Sequence, residues 1–280
     1  MLNTHIVELM KKILQSSLII ILLLSVVACN RSKKNEVQDD AQTENTDNQL
    51  TTSGSQSGLK TDVYEAGFEP LRVVLLGHSS IMIEYNGKVI HVDPYSEVAD
   101  YNKLPKADYV LLTHEDGDHL DQRAIGLVKK AETQFILTKA CNKILGYGDV
   151  LNNGQFTERG AITIAAVPAY NIVNKKVNGE PYHPRGVGNG YVLSFRDKKV
   201  YIAGDTENIP EMDGLRGEID IAFLPKNLPY TMTDEMFIDA ARRIMPKVLY
   251  PYHMTDFDSD KISRALEGTG IKLEVRPMSS

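Results

Sequence analysis

An apolar run over residues 109–113 reads as a buried strand, and it stops abruptly at His114-Glu115-Asp116-Gly117-Asp118-His119. Metal-competent side chains crowd this turn, and Gly117 lets the backbone bend sharply among them. Side chains at alternate positions of an extended segment share a face, so His114 and Asp116 can grip one ion. Asp118 and His119 then turn toward a second. Imidazole and carboxylate together suit zinc, iron or manganese. A strand followed by a charged loop with two incidental histidines would look the same in isolation, so the rest of the chain must supply matching ligands.

Residues 200–204 read as a strand that ends in Asp205-Thr206, and residues 247–252 as another that ends in His253. Separate strands therefore finish on metal-competent side chains, and in α/β folds sites gather at the carboxyl ends of strands. His183 opens a glycine-rich loop over residues 183–190, ahead of a strand at 191–195. Any one of these histidines is more often structural than a ligand. Their joint placement reverses that expectation.

Further segments join these: Gly77-His78-Ser79-Ser80, Asp93-Pro94, Pro168-Ala169-Tyr170-Asn171, His183-Pro184-Arg185-Gly186, Gly190-Tyr191, Gly204-Asp205-Thr206, Tyr230-Thr231-Met232-Thr233 and Pro251-Tyr252-His253. In this order, over residues 71–280, the chain resembles metallo-β-lactamase-fold hydrolases of the branch that includes the L-ascorbate-6-phosphate lactonase-like proteins. The family's usual motif is His-x-His-x-Asp-His, and Asp116 stands here in place of its second histidine. The resemblance implies an α/β fold, an αββα sandwich of the metallo-β-lactamase type. It also implies two divalent metal ions, zinc first, with manganese or iron as alternatives. His114, Asp116 and His183 would bind the first ion, Asp118, His119 and His253 the second, and Asp205 would bridge them. Asp118, His119 and Asp205 are accordingly the expected catalytic residues.

The implied chemistry is hydrolysis of an ester, lactone or phosphodiester by a water that the metal pair activates near neutral pH. Asp118 would also steer the proton of that water, and no serine or cysteine nucleophile stands out. The contrasting class is a metal-binding lipoprotein, a sensor or scaffold on a decayed hydrolase fold; Asp116 is the feature that favours it. Weaker candidates surround the ligands. His78 belongs either to the site or to the core, and Asp93 either orients a ligand histidine or caps a turn. His91 reads as structural. Tyr170, Asn171, Tyr182, Arg185, Lys226 and Tyr230 lie on loops beside ligands, and Arg185 and Lys226 are candidates to receive an anionic substrate group.

Lysines and arginines are scattered and the formal charge is −6. With no basic stripe and no tryptophan, a nucleic-acid substrate is excluded and a small-molecule or lipid-like one expected. Lys11 and Lys12 precede an apolar run at 18–24 that leads to Val26-Val27-Ala28-Cys29. Residues 1–29 thus read as a signal peptide with a lipobox-like site, and Met10 opens a more typical signal than Met1. By resemblance to bacterial lipoproteins, Cys29 would be lipidated and hold the protein at a membrane outside the cytoplasm. Residues 30–61 are too polar to bury a core and read as a flexible tether. Residues 62–280 would form one domain of about 220 residues, enough for a large core. Cys141 has no mature partner and reads as a small buried hydrophobe.

Within that domain, strands are expected at 71–76, 81–85, 88–92, 135–137, 161–167, 219–224 and 273–275. Asn86-Gly87 marks a tight hairpin between the second and third. Helices are expected at 122–130, 142–147, 233–244 and 259–266.

Overall fold

Both faces of most strands are apolar, which forces the sheets to be covered on two sides. The computed structural model describes residues 59–278. The first half contains β1 (Lys60–Ala66), β2 (Glu69–Gly77), β3 (Ser80–Tyr85), β4 (Lys88–Val92), β5 (Tyr109–Leu112), α1 (Gln122–Val128), β6 (Gln134–Leu137), α2 (Lys139–Leu145) and β7 (Asp149–Val150). The second contains β8 (Phe156–Arg159), β9 (Ile162–Ala169), β10 (Gly188–Phe195), β11 (Lys198–Ile202), β12 (Ile221–Lys226), α3 (Asp234–Ile244), β13 (Val248–Met254), α4 (Ser259–Leu266) and β14 (Lys272–Leu273).

Each half builds one seven-stranded sheet, in strand order β1 to β7 and β8 to β14. In both sheets the first strands pair antiparallel, and the pairing turns parallel from β4 and from β11 onward. The two halves therefore repeat one topology. Alternate residues of single strands separate the layers. Leu75 of β2 and Leu111 of β5 face the space between the sheets, where they join Phe195, Phe223 and Tyr250. Their neighbours Val74 and Leu112 face outward onto Ile125 of α1 and Cys141 of α2. Ala222 and Leu224 of β12 likewise face Phe237 of α3 and Ile262 of α4. The result is the αββα sandwich. Truncating the fully buried Phe223 to alanine would cost about 3–5 kcal/mol.

The first strand, β1, begins at Lys60, inside the stretch expected to be a tether and before the strand expected at 71–76. Most of its residues are polar, most are exposed, and only Ala66 is buried, so an edge strand of this kind reads like linker in sequence. The remainder of the expected tether, the signal peptide and Cys29 lie outside the described residues. The expected loop at 183–190 is shorter than its glycines suggested, because β10 already begins at Gly188. A Cβ on Gly190 would stand 2.8 Å from Ala203 O, so glycine there serves a close backbone approach rather than a loop. Short β7 and β8 had no sequence signal. Among the described residues no helix is long and apolar enough to cross a membrane. Cys141 is buried, and burial pushes its thiol up to about 12.

Candidate metal centre

The carboxyl end of β5 delivers the first ligands, and α1 fixes the loop that carries them. Asp121, immediately after the cluster, caps α1 by accepting from Arg123 N and Ala124 N, and also accepts from Ser96 N at 2.7 Å. Inside that frame, Asp116 Oδ2 lies 3.6 Å from both His114 Nε2 and His183 Nε2. Asp118 Oδ2 lies 3.9 Å from His119 Nε2 and 3.6 Å from His253 Nε2. Asp205, after β11, stands between the groups: its Oδ2 is 3.6 Å from His183 Nε2 and 3.5 Å from His253 Nε2, and its Oδ1 is 3.5 Å from His119 Nε2. All of the expected ligands converge on one place.

These separations fit ions better than hydrogen bonds. Two ligands at about 2.1 Å from a tetrahedral ion stand about 3.4 Å apart, and a hydrogen bond would be shorter. The imidazole protons agree. His119 Nδ1 donates to Asp93 Oδ2 at 2.8 Å, His114 Nδ1 faces Thr113 Oγ1 at 3.0 Å, and His183 Nδ1 donates to Asn171 Oδ1 at 2.7 Å. Thr113 spends its own proton on Asp93 Oδ2 at 2.5 Å, so it accepts from His114. Each of these Nδ1 bonds directs Nε2 inward, where an ion could take its lone pair. His114 Nε2, His119 Nε2 and Asp205 Oδ1 are buried without a partner, as metal-ligating atoms would be. Asp205 and Asp93 hold the His119 imidazolium up to about 9 even though burial opposes the charge. Metal entry must displace that proton.

Backbone strain gathers at the same place. His78, Asp93 and His253 all adopt positive φ, at 51°, 43° and 44°, a costly region for side-chain-bearing residues. His253 is not the residue after a strand, as its sequence position suggested; it lies within β13 as a bulge. Pro225 pairs with Tyr252 and Lys226 with Met254, so His253 is the extra residue and its ring is turned into the centre. His253 N donates to His78 O at 2.7 Å, which ties the bulge to the β2–β3 turn.

A model of the β-lactamase superfamily domain matches residues 72–253. The chain belongs to that superfamily. It is a metal-dependent hydrolase of the metallo-β-lactamase fold. It is similar to a UPF0173 metal-dependent hydrolase of Flavobacterium johnsoniae, 32% identical over 67% of this chain and 86% of that one. A relative of the same name from Archaeoglobus fulgidus is 29% identical over 73% of this chain and 94% of its own. A crystal structure named for a metal-dependent hydrolase of Parabacteroides distasonis is 45% identical, with TM-score 0.75, covering 79% of this chain and all of that one. The non-catalytic alternative is not favoured by relatives that carry the name hydrolase.

Around the superfamily's metal centre, the weaker candidates separate. His78 belongs to the site: its Nε2 lies 2.8 Å from Asp118 Oδ2, and its ring centroid is 3.9 Å from that of His253, the two rings tilted by 44°. Asp93 orients His119 and also accepts from Thr113 N at 2.8 Å. Asn171 orients His183. His91 is buried in β4 on Pro105 O, as a structural histidine. Arg185 and Lys226 are not free anion receivers. Arg185 pairs with buried Glu211 at 2.6 Å, where Tyr170 OH also donates. Lys226 is buried against Asp234, Thr255 O and Asp256 O. A charged side chain beside a ligand in sequence is often consumed by the packing of the loop that carries it.

Sequence reasoning missed Glu207 and Asn227. Buried Glu207 accepts from three successive backbone N–H groups, at Ile172, Val173 and Asn174, and from Asn171 Nδ2. The Asn227 amide lies 3.1 Å from His253 Nδ1. A carboxylate two residues after Asp205 was the only hint of the first.

Proposed function

We propose that this hydrolase uses a dinuclear centre, zinc first and manganese or iron second, to cleave an ester, lactone or phosphodiester. Asp205 carries the reading, because one buried carboxylate stands 3.5–3.6 Å from a histidine of each ligand group. Divalent ions held there would polarise a carbonyl or phosphoryl oxygen and acidify a water. Asp118 would take the proton of that water, a role supported by His78 Nε2 at 2.8 Å from its Oδ2. With metal bound, Asp93, Thr113 and Asn171 would hold the ligand imidazoles in the tautomer that gives Nε2 to the ion. The resemblance to lactonase-like proteins keeps cyclic esters among the substrates.

The same reading places the protein outside the cytoplasm, anchored through lipidated Cys29 to a bacterial membrane. Metal analysis followed by a screen of lactones, bis-p-nitrophenyl phosphate and phospholipids tests the function. About two divalent ions per chain and turnover of one class are expected. Full metal content with no turnover on any class would count against a hydrolase of this kind.

A further inference from the structure

Two loops beside the centre expose large apolar side chains among polar ones. Residues 171–182 run from β9 to His183 and double back in a turn in which Lys176 N donates to Glu180 O at 2.7 Å. Residues 227–231 follow β12. Ile172, Val173, Val177, Leu228 and Tyr230 are all exposed, Val177 at the apex of the turn completely so. Isolated exposed apolar side chains are ordinary, but a group of them rimming a polar site marks a binding surface.

The loops are held in place. Glu207 accepts from Ile172, Val173 and Asn174 N at 2.7, 2.8 and 2.7 Å. Asn171 Nδ2 donates to Tyr230 O at 2.8 Å, Asn174 Nδ2 to Thr231 O at 2.7 Å, and the Tyr182 and Tyr230 rings meet edge to face at 5.0 Å. Since Asn171 Oδ1 also accepts from His183 Nδ1, the apolar rim is tied to an expected ligand of the centre. A rim fixed in advance loses little freedom on binding.

Where Tyr182 and Lys176 of the first loop meet the centre lies a cavity of about 140 Å³, lined in part also by Glu115, Asp116, His183 and Asp205. That volume is well below the roughly 300 Å³ at which drug-sized ligands are enclosed. It admits a small head group and leaves a chain outside, on the rim. Among the described residues no carboxylate forms an ion pair with exposed Lys176, so its charge is available to an anion.

We propose that the cleft takes an anionic amphiphile: an ester head enters the centre beside Lys176, and its alkyl or acyl chain lies across the apolar rim. This rests on the hydrolase reading and narrows its substrate class. In the step, the oxygen of water bonds to the carbonyl carbon or phosphorus, the ester bond to the leaving oxygen breaks, and that oxygen takes a proton from the water.

Calorimetric titration of the metal-loaded protein with monoalkyl phosphates from butyl to decyl, below micelle formation, reads the binding without turnover. Kd is expected to fall roughly twofold or more per methylene, against about fourfold for complete burial. Val177→Ser combined with Leu228→Ser should flatten the series while bound metal stays unchanged. A Kd independent of chain length, or a series equally steep in the variant, overturns the proposal. Turnover of bis-p-nitrophenyl phosphate is measured in parallel. No turnover with a steep binding series would remove the phosphodiester as a substrate class and leave the apolar surface standing. Turnover with a flat series would remove the amphiphile alone.

Discussion

The Asp93 carboxylate lies 2.8 Å from His119 Nδ1, and neither side chain is exposed to solvent. Asp93 also accepts from Thr113 N and Thr113 Oγ1, so this one carboxylate positions both His119 and, through Thr113, His114. Asp93→Asn replaces an acceptor with an amide that must present N–H to at least one donor. Metal affinity should fall by about 10–100-fold, measured by chelator competition. A buried unsatisfied donor should cost about 1–3 kcal/mol in urea unfolding of the metal-free protein. Unchanged affinity would show that His119 needs no such orientation.

Asp205 and His253 should fail differently. Asp205→Ala removes the carboxylate that faces both ligand groups and is expected to abolish turnover and deplete both ions. His253→Ala should preferentially empty the site shared by Asp118 and His119. Both variants retaining full metal and full rate would refute the shared centre.

Asp116 is where the chain departs from its family's motif. A carboxylate in place of neutral imidazole adds negative charge to the first site and should weaken the acidity of bound water. Oxygen in place of nitrogen also favours harder ions over zinc. Asp116→His should therefore raise zinc affinity relative to manganese, in competitive metal titrations. Asp116→Ala should lower the metal content by about one ion per chain; a content of one ion, unchanged by the substitution, would indicate a mononuclear centre.

His91 makes acid stability a test of the core. Burial pushes its imidazole down from 6.5 to about 4, and only a bond to Pro105 O opposes that shift. The unfolded chain therefore binds a proton at higher pH than the folded one. The contribution is complete above about pH 6.5 and lost as pH falls through about 4, in total about 3 kcal/mol. His91→Gln, which keeps a donor for Pro105 O, should be less stable at neutral pH but show a shallower loss between pH 6.5 and 4, read by urea unfolding. Equal slopes would place the acid sensitivity elsewhere.

The proposed anchor is tested in cells. Wild type should label with a palmitate analogue and fractionate with membranes, and Cys29→Ser should do neither. Equal labelling of both forms would remove the lipoprotein assignment.

Local information was enough for strands apolar on both faces and for helices with one apolar face. The apolar runs at β5 and β12 and the helices that begin at Asp234 and Ser259 stand within two residues of where the sequence pattern places them. So do the ligands at the β5 end, because an abrupt change from apolar strand to His and Asp is visible in a few residues. β1 was hidden, since an edge strand needs only one weakly apolar face.

The sequence by itself determined which residue types are available to hold metal, and on which strands they lie. Only the tertiary structure decided that His78 faces Asp118, that His253 bulges inward, and that Glu207 holds an apolar rim beside His183. Those relations join β2–β3 to the β5 loop, and β9 to β11. They depend on how two sheets pack face to face, and no spacing along the chain encodes the distance between residues brought together by burial of a shared core.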